Sequence, residues 1–278
     1  CPEQEGLLAA RLHAGRASAL RAIPGSDVEH LQLARGELEL AIPRLRDLGA
    51  SSEEIADAEM SLGVVLHTLA GQRAAKLTDA IAAYQRATRV FDRSRHPRQF
   101  AILQNNLATA YLSMPLADER AKLREALAVQ AFTDALGVVT LEDDPIEYAM
   151  LQNNLGNALQ YAASGHPVQN GLRALEAYEC ALKVRNPRDT PVQYANTVAN
   201  KANCLRNLPD DPERPSAGNR RRLLEAAALY AEAVRIFSHH AEAESAALVK
   251  QAHAEVLREL GAAGAADGFG ISRIAGDG

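Results

Sequence analysis

Leu-Gln-Asn-Asn-Leu occurs twice in this chain, as Leu103 to Leu107 and again about 48 residues later as Leu151 to Leu155. The surrounding copies read Gln99-Phe-Ala-Ile-Leu-Gln-Asn-Asn-Leu-Ala-Thr-Ala-Tyr111 and Glu147-Tyr-Ala-Met-Leu-Gln-Asn-Asn-Leu-Gly-Asn-Ala-Leu159. A looser third copy runs from Gln193 to Leu205, and a fourth lies upstream from Glu54 to Leu66. Units of this length that recur along a chain stack into a solenoid, because one unit alone cannot bury its apolar face.

Each unit carries a second, complementary pattern, Ala-x-x-x-aromatic-x-x-Ala. Its copies are Ala80, Tyr84 and Ala87; Ala128, Phe132 and Ala135; Ala174, Tyr178 and Ala181; and Ala226, Tyr230 and Ala233. Spacings of four and three place the three side chains on one face of a helix. A small residue on either side of a ring lets a neighbouring helix approach while the ring fills the space between. The first helices offer the matching sets Leu62, Gly63 and Leu66; Leu107, Ala108 and Tyr111; Leu155, Gly156 and Leu159; then Ala202 and Leu205.

Leu-Gly-x-x-Tyr followed by Ala-x-x-x-Phe resembles the tetratricopeptide (TPR) repeat over about Ser51 to Leu260, and the form rich in Asn-Asn-Leu-Gly resembles the arrays of kinesin light chains and of bacterial TPR proteins with a caspase-like CHAT domain. The resemblance implies an all-α, TPR-like α-solenoid: a right-handed superhelix of stacked antiparallel helix pairs. Three departures stand out. The period is about 45 to 52 residues instead of 34, and the excess is expected between the first and second helix of each unit; Lys201 stands where the family has Leu; and there is no Trp.

The expected organisation is an N-terminal helical cap over 1–50, four helix pairs over 51–240, a capping helix over 241–260 and a flexible tail over 261–278. Ser26 followed by Glu29 has capping-box spacing for a helix that Pro43 should bend or break near residue 42. Ala34 and Ala41 precede Ala80 and Ala87 by about 46 residues, which marks that segment as a worn first repeat. Pro97, Pro145 and Pro191 each suit the first turn of a helix and mark unit boundaries. In the last helix, Leu248, Ala252, Leu257 and Leu260 form the expected buried side. The Phe269 to Ile274 stretch is the hydrophobic piece of the tail and a candidate docking motif.

A formal net charge of −5 gives no overall attraction to nucleic acid or to an anionic membrane surface, and the chain has no long apolar run or signal-like segment. A soluble, cytoplasmic, bacterial protein is the expectation. The three cysteines have no Cys-x-x-Cys spacing and fit a reducing compartment; for Cys1 the alternative is a lipidated mature N-terminus.

By the resemblance, the first helices line a concave groove, and residues two before and two after Leu107 and Leu155 face it. This selects Asn105, Thr109, Asn153 and Asn157, with Asn203, Met60 and Val64 at matching places; His67, Leu112, Ser113, Gln160, Tyr161, Arg206 and Asn207 follow on the same face. A carboxamide both donates and accepts, so a ladder of Asn can pair with the backbone of an extended peptide whatever its side chains. Asn106 and Asn154 instead read as ties between helices or caps of loops.

His239, His240 and Glu244 have partial metal-ligand spacing with no strong third ligand, and the reading is a solvated turn with no metal and no cofactor. Arg220 to Arg222 read as a solvated helix start; the alternative is that, with Arg120, Lys122 and Arg124, they form a basic rim for phosphate or an acidic partner. No phosphate loop, nucleophile elbow, metalloprotease motif or kinase set is present. The expected function is therefore a non-catalytic scaffold for a protein or peptide segment. The alternatives are a regulatory or sensor region of a larger enzyme such as a CHAT-type protease, and a metal- or small-molecule-dependent enzyme.

Overall fold

The structure is a computed structural model that describes residues 2–23, 27–115, 120–162, 165–208 and 215–271, without the side chains of Pro2, 215–219 and 262–271. Among the described residues there are eleven α-helices and no strand. The helices are α1 (Pro2–Ala22), α2 (Val28–Asp47), α3 (Ser52–Gly71), α4 (Leu77–Ala87), α5 (Pro97–Ser113), α6 (Ala121–Leu136), α7 (Pro145–Tyr161), α8 (Pro167–Leu182), α9 (Pro191–Asn207), α10 (Pro215–His239) and α11 (Ala243–Ile271). They divide into two compact units, Cys1–Thr140 with α1 to α6 and Leu141–Gly278 with α7 to α11.

Within each unit every helix packs on the next in sequence, and the first helices also touch one another: α1 with α3, α3 with α5, α7 with α9 and α9 with α11. Each unit is thus an all-α stack of helix pairs in the arrangement that the TPR-like repeat pattern implies. The second helices bury the motif as its spacing demands. Tyr84, Phe132, Tyr178 and Tyr230 are at most 2% exposed, and the Ala residues flanking each ring are wholly buried. Removing each ring from water contributes roughly 1.5–3 kcal/mol. In α2 the same positions hold Ala34, Leu38 and Ala41, all buried, so α1 and α2 pack as one more pair with Leu in place of the ring.

Pro97, Pro145 and Pro191 open α5, α7 and α9 at their first turns. Pro43, by contrast, interrupts nothing: α2 runs through it to Asp47, with Pro43 on the exposed side, where the carbonyl left without an amide partner meets water. The N-cap of α2 is Asp27, whose side chain accepts from the backbone N–H of His30 at 3.0 Å; Ser26 lies outside the described residues.

The extra period length is placed differently from the expectation. The connection from α3 to α4 is only 72–76, whereas α4 to α5 spans 88–96 and α8 to α9 spans 183–190. These longer stretches between pairs are wound turns. Asp92 Oδ1 accepts from the backbone N–H of Ser94 and Arg95 at 2.9 and 2.8 Å, and Asn186 Oδ1 likewise accepts from Arg188 and Asp189 at 3.0 and 2.8 Å. Short polar side chains that satisfy their own turn allow the added residues to stay ordered. Pro209 and Pro212 lie outside the described residues, while Pro215 starts α10.

Two further expectations change. Lys201 replaces the family Leu without opening the core: its side chain is 16% exposed and its ammonium lies 3.4 Å from Glu179 and 3.6 Å from Glu225. The stem covers apolar surface while the charge reaches the edge. In α11, Leu248 and Leu257 are exposed at 70% and 51%, whereas Val256 is wholly buried and Val249, Ala252 and Leu260 pack beside it. The buried stripe is therefore displaced from the expected one. The helix itself continues past Leu260 to Ile271, and the side chains of Phe269 to Ile274 lie outside the described residues.

Candidate functional site

In the unit of Leu141–Gly278, the first helices α7 and α9 carry a linked set of polar groups. The hydroxyl of Tyr178 lies 2.7 Å from Asn157 Oδ1 and 3.1 Å from Gln160 Oε1, and its one proton is shared between them. One repeat on, the Tyr230 hydroxyl reaches Asn203 Oδ1 at 3.4 Å. Asn203 donates through Nδ2 to the hydroxyl of Tyr161 at 2.6 Å and accepts from Asn207 Nδ2 at 3.3 Å. Burial pushes the Tyr178 phenol far above its ordinary range and the Tyr230 phenol up to about 12, so both remain hydrogen-bond donors at neutral pH. The rings are buried and their hydroxyl tips hold Asn157 and Asn203 in fixed orientations.

The result is a polar ridge on which Tyr161, 63% exposed, and Asn207 face solvent. Of the residues selected from sequence, Asn157, Gln160, Tyr161, Asn203 and Asn207 come together here. Asn153 does not join them. It is only 8% exposed and accepts from Asn200 Nδ2 at 3.2 Å, which ties α7 to α9. Nor is Arg206 an open cation, since it donates to Glu259 at 2.6 and 3.1 Å and to Glu255 at 2.8 Å on α11.

In the unit of Cys1–Thr140, Asn105 is half-buried and Thr109 exposed on α5. The Thr109 hydroxyl donates to the Asn105 carbonyl and the Ser113 hydroxyl to the Thr109 carbonyl, each at 2.8 Å, so both hydroxyls serve their own helix. Met60 and Val64 are packed against the core. His67 meets the Tyr84 ring edge-on at 6.4 Å, and burial pushes its pKa down.

The tie between ring and carboxamide was missed from sequence, although a signal for it exists. Tyr178 and Tyr230, which have a hydroxyl to give, stand opposite Asn157 and Asn203, and Phe132, which has none, stands in the repeat whose matching residue is Thr109; Tyr84, opposite Val64, does not follow the pattern. The sequence also left the partners of Arg206 unrecognised, because Glu255 and Glu259 lie about 50 residues away.

The remaining candidates are less open to ligands. Arg124 is 7% exposed and donates to the Pro115 carbonyl at 2.6 Å, which removes it from a basic rim. His239 ends α10 and His240 follows it, their rings edge-to-face at 5.1 Å, and among the described residues no three metal-ligating side chains converge. The Cys204 thiol, which donates to the Gly171 carbonyl at 3.3 Å, is pushed up to about 11 by burial and is therefore protonated, a poor nucleophile. No helix among the described residues is long and apolar enough to cross a membrane.

No protein-family model matches the chain, and no curated protein is similar to it. Among solved structures it is similar to the TPR2AB domain of yeast Sti1 in its complex with pHSP90, with 17% identity over 89% of this chain and 85% of that one. The TM-score is 0.32, a likeness too slight to bear on what this chain binds.

Proposed function

We propose that the protein is a non-catalytic scaffold that holds a segment of another protein, and that α7 and α9 present the surface for it. The observation that carries this reading is the exposed Tyr161 of α7, hydrogen-bonded to Asn203 and through it to Asn207 on the adjacent first helix, α9, with Asn157 and Gln160 of α7 held by Tyr178. Carboxamides offer donors and acceptors to the backbone of an extended peptide, and an exposed ring offers apolar area to one of its side chains. Because the buried hydroxyls of Tyr178 and Tyr230 already orient Asn157 and Asn203, little side-chain freedom is lost when a partner arrives.

Selection of random peptides displayed against the whole protein tests the reading. Enriched sequences should lose at least tenfold in affinity on Tyr161→Ala and on Asn207→Ala, two substitutions at the surface that leave the unfolding midpoint near that of the wild type. Peptides bound equally well by both variants, or no enrichment at all, would remove the ridge from consideration.

A further inference from the structure

A cavity of about 260 Å3 opens between α1, α2 and α3, in the unit of Cys1–Thr140. Its floor is Leu38 and Leu45, both buried, and its walls are narrow side chains, Ala14 and Gly15 from α1 and Ala58 and Ser61 from α3. Two carboxylates sit at its rim, one turn apart on α3, and they differ in a decisive way. Glu54 is engaged by the Arg11 guanidinium through a pair of hydrogen bonds of 2.6 and 2.9 Å. Asp57 has no hydrogen-bond or ion-pair partner among the described residues, and neither does the half-buried Ser61 hydroxyl beside it.

Asp57 is an exposed residue at the rim; the partial removal of its carboxyl from water pushes it above its ordinary range, and the nearby His96 offsets that only in part. Arg11 brings no net repulsion, because Glu54 neutralises it. The volume lies below the roughly 300–1,000 Å3 of small-molecule and cofactor sites and suits a single side chain. An apolar floor and a rim carboxylate without an ion-pair partner match an aliphatic stem that ends in a cationic head.

We infer that this cavity is a binding site for one cationic side chain, Lys or Arg, of a partner segment, with Asp57 accepting from the head group, Ser61 adding a second acceptor and Leu38 and Leu45 covering the stem. The site is independent of the ridge on α7 and α9, which belongs to the other unit.

The test is NMR titration of the whole protein with the capped single residues N-acetyl-lysine methylamide and N-acetyl-arginine methylamide, with the norleucine analogue as a control for the stem alone. At least one cationic probe should give saturable shifts at the amides of Ala14, Gly15, Ala58 and Ser61, and the stronger of the two tells lysine from arginine. Norleucine should give none. Asp57→Asn should weaken the response at least tenfold. Gly15→Leu should do the same by filling the cavity with the carboxylate left in place, since a Cβ at Gly15 meets nothing within 4 Å. The inference is overturned if neither cationic probe shifts these residues saturably, if norleucine acts as well as lysine, or if a folded Asp57→Asn protein responds like the wild type.

Discussion

Gly156 on α7 lies so close to Tyr178 on α8 that a Cβ at the glycine would fall 2.5 Å from Cε1 of the ring. The ring is wholly buried and its hydroxyl is held by Asn157 and Gln160, so it has little room to withdraw. Gly156→Ala should therefore lose about 1–2 kcal/mol, because overpacking, typically about 1–3 kcal/mol, outweighs a helix-propensity gain of up to about 1 kcal/mol. Gly15→Ala, with open space around its Cβ, should gain about 0.5–1 kcal/mol. Urea midpoints of the two variants moving together would mean that the Tyr178 ring shifts freely.

Truncating Tyr178 separates its ring from its hydroxyl. Tyr178→Ala should cost about 3–5 kcal/mol as a large-to-small core change. Tyr178→Phe should cost about 0.5–1.5 kcal/mol, the value of a hydrogen bond whose half-buried acceptors Asn157 and Gln160 can turn to water. Denaturant unfolding that gave equal losses for both would place the stabilisation in the hydroxyl and not in the ring.

Lys201→Leu should restore the family residue at little cost or with a gain of about 0.5–1 kcal/mol. The ammonium pairs with Glu179 and Glu225, whose side chains are 61% and 49% exposed, and pairs of that kind contribute about 0–1 kcal/mol. Both carboxylates keep their water after the change, and the Leu buries more apolar area. A thermal midpoint several degrees lower would show the ion pairs to be stronger than their exposure implies.

Alkali should unfold the protein in a way that the tyrosines report. Burial raises the phenols of Tyr84, Tyr178 and Tyr230, the last to about 12, so above pH 10 the unfolded chain gives up protons that the folded one keeps. Stability is thus intact below the ordinary tyrosine pKa and falls as pH rises beyond it. Tyrosinate absorbance from these three should appear together with loss of helical circular dichroism; full ionisation before the helices melt would contradict their burial.

In acid the sign is opposite for the paired carboxylates. The Arg11 guanidinium holds Glu54 below its ordinary range, the Arg206 guanidinium does so for Glu255, and hydrogen bonds from Arg95 hold Asp92 at about 2. Their contribution is present above the ordinary carboxylate range and is lost as pH falls through these lowered values. Asp57, with its raised pKa, works the other way. The thermal midpoint should fall between pH 5 and pH 2, and Arg206→Ala should flatten that fall; an unchanged slope would mean that the contact between α9 and α11 is too weak to matter.

The repeats were legible because their signals are local. Ala-x-x-x-aromatic-x-x-Ala is a statement about one helix face, and Ala80, Tyr84, Ala87 and their counterparts are buried as that face requires. Pro97, Pro145 and Pro191 mark helix starts by covalent geometry alone, since their fixed φ and missing N–H suit a first turn. The candidate ridge was legible in part. Asn157, Gln160, Tyr161, Asn203 and Asn207 were selected and do meet, whereas Asn153 was selected and is buried against Asn200.

Sequence by itself determined that the chain is a run of paired helices, where α5, α7 and α9 begin, and which residues fill the contact within each pair. Tertiary structure decided which side of each helix stays open. A spacing of three and four defines a stripe, but the phase of that stripe against its neighbours depends on how the helices cross, so Val256 turns inward while Leu248 and Leu257 face water. It also decided which charges are spent. Arg206 is engaged by Glu255 and Glu259 and Glu54 by Arg11, while Asp57, one turn from Glu54, is left to face a cavity unpaired, because ion pairs between distant segments form only where packing brings their helices side by side.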